Sequence, residues 1–298
     1  MLNKRTILAI LVAGLAALAG CGWQADGAAR LEVLYPTPPP PPPPPPDPCP
    51  MPDDPGAAAA SVTGTCSGLT AGRWAVRVVQ FGSMSPAGMG PWNITLTDQF
   101  VAGLSADSSS LELSFCTQGS TLTDKDGKPI AFGKTRIPDK TRTALGKAGL
   151  SLPLPGDGTF SVADVAWLWG TKNLANPLTD PLPAEAGDAK VWDQDEDGKP
   201  GVTMQVENPA GERYMARRSR WTFKPGQISA ESTWVTGEAT FAISENALGA
   251  SIESLKIVAP ITPRGECRSV YQMRCVDAAF SCTQLLANAT TLFRDAPR

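Results

Sequence analysis

The stretch Gly72-Arg73-Trp74-Ala75-Val76-Arg77-Val78-Val79 sets the fold class. Trp74, Val76 and Val78 alternate with Ala75, Arg77 and Val79, and a period of two sends successive side chains to opposite faces of a strand. Leu111, Leu113 and Phe115 alternate in the same way with Glu112, Ser114 and Cys116, as do Val202, Met204 and Val206 with Thr203, Gln205 and Glu207. Further strands are predicted over 91–97, 130–134, 159–169, 212–223, 232–244, 254–258 and 268–276, in a chain punctuated by Gly, Pro and Asp. Helical spacing is confined to 140–148 and the tail 282–293. About ten strands with so few helices predict an all-β domain, an antiparallel barrel or sandwich carrying a short C-terminal helix.

The opening Gly72-Arg73-Trp74 resembles the Gly-x-Trp that begins the first strand of lipocalins and related calycin barrels. That resemblance implies a Trp closing one end of a barrel beneath an Arg of the last strand, here Arg268 or Arg274, by cation–π stacking.

N-terminal to the domain the chain reads as an address and a tether. Lys4 and Arg5 precede an uncharged apolar stretch, 6–18, which is shorter than the roughly 20 residues of a spanning helix. It ends in Leu18-Ala19-Gly20-Cys21, which resembles the bacterial lipobox. The resemblance implies removal of 1–20 as a signal peptide and a lipid on the Cys21 thiol. Gly22, where a sorting Asp would favour the inner membrane, implies anchoring at the outer membrane, with the leaflet of display left open. Residues 21–60 form the lipidated N-terminus and a linker, in which fourteen prolines fall between Pro36 and Pro55, nine of them consecutive. Such a run lacks amide donors and extends as polyproline II, so at ~3.1 Å per residue those nine prolines span about 28 Å. The folded domain is expected over 61–298.

Composition removes several functions. The chain has 298 residues, a net charge of −3 and no histidine. Ser-His-Asp and Cys-His nucleophile systems and histidine zinc sites are therefore excluded. No concentrated positive face suggests nucleic acid. A two-carboxylate glycoside hydrolase remains compatible, since it needs only an acid and a base or nucleophile.

Asp193-Gln194-Asp195-Glu196-Asp197-Gly198-Lys199 carries carboxylates at every second position and then a turn glycine. It resembles the calcium loops of EF-hands, dockerins and thrombospondin repeats, with Asp193, Asp195 and Asp197 at ligand positions 1, 3 and 5. Lys199 would add its carbonyl at position 7, but position 12 is Met204, where an EF-hand has Glu. The resemblance implies a structural calcium ion of the affinity of extracellular modules, on the order of 10⁻⁴–10⁻³ M. The competing reading is a solvated acidic hairpin. Asp124-Lys125-Asp126-Gly127, an echo with one acid fewer, reads as a turn.

Apart from Cys21, six cysteines remain: Cys49, Cys66, Cys116, Cys267, Cys275 and Cys282. An even number without Cys-x-x-Cys spacing in an exported chain predicts three disulfides, stapling the linker end and the C-terminal helix to the domain. Arg217 and Arg218 are neighbours on one predicted strand and must face opposite sides, so one is a candidate, with Trp221, for an interior ligand site. The expectation is a calcium-stabilised, membrane-anchored, non-enzymatic module for binding or envelope structure, with a small hydrophobic, anionic or carbohydrate ligand. The alternative is a carbohydrate-active enzyme. An apolar cavity with one or two buried polar groups would favour the first, and two acids converging in a cleft the second.

Overall fold

The computed structural model describes residues 47, 49–52, 64, 66, 72–86, 89–154, 159–228, 233–294 and 296. The expected signal peptide (1–20), Cys21 and the proline run lie outside the described residues. No helix among the described residues is long and apolar enough to cross a membrane.

Three long strands open the domain as an antiparallel meander: β1 (Arg73–Met84), β2 (Trp92–Leu104) and β3 (Ser110–Thr123). Then follow β4 (Thr135–Arg136), helix α1 (Asp139–Ala148), β5 (Leu150–Pro153), β6 (Val162–Trp169) and β7 (Val202–Glu207). The chain finishes with β8 (Ala210–Phe223), β9 (Gln227–Ile228), β10 (Trp234–Ala250), β11 (Thr262–Pro263), β12 (Val270–Val276) and helix α2 (Cys282–Ala287). The twelve strands form one antiparallel sheet with the main order β4-β7-β8-β10-β12-β1-β2-β3-β5. The all-β expectation holds, with β1 and β12, the first and last long strands, paired side by side.

The 17-residue β10 turns this sheet upon itself. Its first residues, Trp234 to Glu238, pair with β12, and from Ala239 onward it pairs with β8. The far edge of β8 is shared end to end by β7 and β6. The sheet thus curls until β2 and β3 face β6 and β8, and aromatic rings meet across the interior. Phe100 lies 5.2 Å from Trp167 and 5.9 Å from Trp221, both edge-on, and Phe115 lies 6.0 Å from Trp169. Edge-to-face packing at such separations suits the ring quadrupoles. The ends of the sheet, β4 and β5, do not pair, and α1 packs between β3 and β7, burying Leu145 and Thr141.

A second layer covers the outer face of β1, β2 and β3. Ala75 and Val101, whose parity points them away from the aromatic interior, pack with Phe280, Leu285, Leu292 and Phe293 of the C-terminal segment. Ser281 caps α2 through a capping box with Gln284. Disulfides Cys116–Cys282, Cys66–Cys275 and Cys49–Cys267 staple this layer and the linker end, as the cysteine pattern predicts.

Three local expectations are corrected. Residues 130–134 form a turn, with the Ile130 amide bonded to the Leu122 carbonyl. Residues 254–258 begin in a 3-10 helix, Glu253–Lys256, and Arg213 takes the Leu255 and Ile257 carbonyls, so a guanidinium replaces a neighbouring strand. Arg274 does not stack on Trp74. It sits opposite Ala75 and Trp234 in register, on the outer face, with its guanidinium 5.1 Å from the Trp234 ring, while Trp74 points inward and Arg268 is exposed.

Candidate functional site

Two places gather the chemistry, and strand parity builds the first. Inward positions on β2 read Trp92, Ile94, Leu96, Asp98 and Phe100, the last opposite a bulge at Cys116 of β3; those on β8 read Arg213, Met215, Arg217, Ser219 and Trp221. The interior is accordingly layered. An apolar cavity of about 200 Å³ occupies one end, a belt of polar side chains crosses the middle, and the aromatic cluster fills the other end. Ile94, Leu96, Leu122, Met204, Val206 and Met215 supply much of the cavity wall, while Gln118, Arg217 and Glu245 are its polar groups on the belt side. Met89, Phe132 and Ile257 also line it and are themselves exposed, which makes an apolar rim.

The belt is continuous. Arg217 is 3% exposed and stands between its register partners Glu245 on β10 and Trp169 on β6. Its Nη1 lies 3.4 Å from Glu245 Oε1 and donates to Gln118 Oε1 (3.1 Å), its Nε donates to Ser219 Oγ (3.3 Å), and its guanidinium lies 4.7 Å from the Trp169 ring. Arg217 Nη2 is buried without a hydrogen-bond partner. Gln118 Nε2 donates to Asp98 Oδ1 (2.6 Å), Gln80 Nε2 donates to Asp98 Oδ2 (2.5 Å), and Trp221 Nε1 donates to Gln80 Oε1 (3.2 Å). Asp98 is wholly buried, and this desolvation pushes its pKa up to about 6 against the lowering effects of Arg217, Gln118 and Gln80.

Of the arginines singled out by sequence, Arg217 lines the cavity and Arg218 faces the other way. Arg218 Nη1 donates to the Asp180 carbonyl (2.7 Å) of the long connection between β6 and β7. Trp221 is core, with its ring in the aromatic cluster. Asp98, Gln80, Gln118 and Glu245 were not singled out by sequence. The detectable signal is an acid at an inward position, Asp98 after Ile94 and Leu96; its partners emerge only once register is known.

The second place is the aspartate loop ahead of β7. Oxygens of Asp193, Asp195 and Asp197 lie within 4.8 Å of one another. Asp193 accepts the amides of Asp197 (3.1 Å) and Gly198 (2.9 Å), and Gly198 turns the chain at φ +81°. Asp195 Oδ2 accepts the Thr203 amide (3.0 Å) and the Thr141 hydroxyl of α1, so the loop joins the helix to β7. Asp195 Oδ1 is buried with no partner, and desolvation first, then the charge of Asp197, raise the Asp195 pKa. Asp197 accepts the Thr203 hydroxyl (2.6 Å) and the Lys199 amide (2.8 Å), while the Lys199 ammonium lies over the Tyr214 ring. An orphaned buried carboxylate oxygen beside two further carboxylates is a donor set that fits a hard cation. The echo at Asp124 is a plain turn, its Oδ1 accepting the amides of Asp126 and Lys128.

No protein-family model, curated protein or solved structure matches this chain. The functional reading therefore stands on the geometry of these two places.

Proposed function

We infer that the chain is a non-enzymatic binding module, tethered to the outer membrane by a lipid on Cys21, with calcium held by Asp193, Asp195 and Asp197 as a structural ion. The ligand is a small molecule with an apolar body, taken into the cavity between β2, β3 and β7–β8. The layered interior carries this reading: an apolar chamber, rimmed by exposed Met89, Phe132 and Ile257, that stops at a few polar groups. Ligand sites have this composition, apolar walls with a small number of orienting polar atoms. The hydrolase alternative finds less support, because among the described residues Glu245 is the one carboxylate lining the chamber and Asp98 stands behind Gln118 with both oxygens hydrogen bonded.

The test is a fluorescence titration with N-phenyl-1-naphthylamine, an uncharged apolar probe. Wild-type protein is expected to bind it with saturation, and Ser120→Trp, which fills the chamber from β3, is expected to abolish binding while the thermal midpoint is kept. Equal binding by the two proteins would place the probe elsewhere and remove the reading.

A further inference from the structure

The polar end of the chamber is close to charge balance, and that balance bears on the head group of a ligand. Arg217 contributes one positive charge, with Glu245 at 3.4 Å from its Nη1 and Asp98 reached through Gln118. A carboxylate or phosphate arriving at this end would meet Glu245 and Asp98 beside the Arg217 guanidinium in a poorly hydrated site, since the other guanidinium lining the chamber, Arg213, is engaged with the Leu255 and Ile257 carbonyls, and an ammonium would face Arg217 itself. Yet the site is not satisfied. Arg217 Nη2, on a side chain 3% exposed, has no acceptor, and a buried orphan donor of that kind is costly to leave unpaired.

Resting on the binding reading above, we propose that the chamber selects an uncharged amphiphile whose head both accepts and donates hydrogen bonds, an alcohol or a primary amide. The head oxygen accepts from Arg217 Nη2, the O–H or N–H donates to the Glu245 carboxylate, and the chain lies along Ile94, Leu96 and Met204. A volume of about 200 Å³ holds one short chain, and any excess leaves across Met89, Phe132 and Ile257. Anionic ligands, which Arg217 alone would suggest, are selected against by Glu245.

The experiment is calorimetric titration of the whole protein at neutral pH with octanamide, octanoate and octylammonium, beside the naphthylamine probe. Octanamide is expected to bind about tenfold or more tightly than either charged ligand. In Glu245→Gln, octanoate is expected to gain on octanamide by about tenfold, since one negative neighbour is gone while Arg217 remains. Arg217→Met is expected to lose the amide preference while still admitting the probe. If octanoate binds wild type as tightly as octanamide, or if the probe enters and none of the three ligands does, the head-group assignment fails and the binding reading survives. If neither the three ligands nor the probe binds, the binding reading itself fails.

Discussion

Asp98 is where single-residue physics has its largest measurable consequence. The folded protein holds the Asp98 proton up to about pH 6, whereas the unfolded chain releases it near the ordinary value of 3.8. Between those values the folded state binds more protons, so this residue's contribution makes stability fall as pH rises from about 4 to about 6 and leaves it flat above. The loss is on the order of 3 kcal/mol for a wholly buried carboxyl. Urea midpoints at pH 4, 5, 6 and 7 are expected to show this decline superimposed on other titrations in wild type and missing in Asp98→Asn. Equal pH slopes for the two proteins would show that Asp98 is not the group titrating. Residues of this kind were the least legible. The strand expected over 91–97 stopped one residue short of Asp98, which β2 carries on the inward side, and its partners Gln80, Gln118 and Arg217 come from strands separated from it by up to 119 positions in sequence, so that only register joins them. Arg217 was legible as a pair with Arg218, because adjacent strand positions oppose one another.

Among the elements, α1 and the aspartate loop form the joint that covers the unpaired edge of the sheet. Asp195 reaches Thr141 on the helix and Thr203 on β7, so a cation at Asp195 Oδ1 would steady both at once. With a dissociation constant on the order of 10⁻⁴–10⁻³ M, about 10 mM calcium would contribute about 1.4–2.7 kcal/mol, a rise of several degrees in thermal midpoint. That rise is expected to vanish in chelator and in Asp193→Asn; an unchanged midpoint in calcium would reduce the loop to an acidic turn. The C-terminal layer is the other dependent element. Cys116→Ser with Cys282→Ser opens a bridge spanning 166 positions and is expected to cost about 2–5 kcal/mol in denaturant unfolding. Protease would then cut within the segment around Phe280 to Phe293 before the sheet. Elements with strong period-two patterning, β7 and β8 above all, were legible in the sequence. The segment 254–258 misled because Leu255 and Ile257 alternate like a strand while Arg213 holds the backbone carbonyls.

At the scale of the whole molecule, one sheet curled over by β10 produces an interior with three layers, and function is assigned to the one that is not filled. The class and the longer strands, β1 to β3, β6 to β8, β10 and β12, followed from alternation and punctuation, whereas the short β4, β5, β9 and β11 did not. The open edge, the chamber and its polar belt did not, since they depend on which half of each long strand faces which other strand. Methionine methyl groups report on these layers directly. Of seven methionines, Met84, Met89, Met204 and Met215 line the chamber, whereas Met273 lies in the filled core and Met51 packs near Cys49 and Cys267. The decisive measurement is a ¹³C-methyl-methionine NMR titration of the protein with an uncharged short-chain amphiphile such as octanamide. Saturable shifts at Met84, Met89, Met204 and Met215, with Met51 and Met273 still, are the predicted result. Shifts at none of those four, or at Met51 and Met273 instead, would contradict a ligand seated in this chamber.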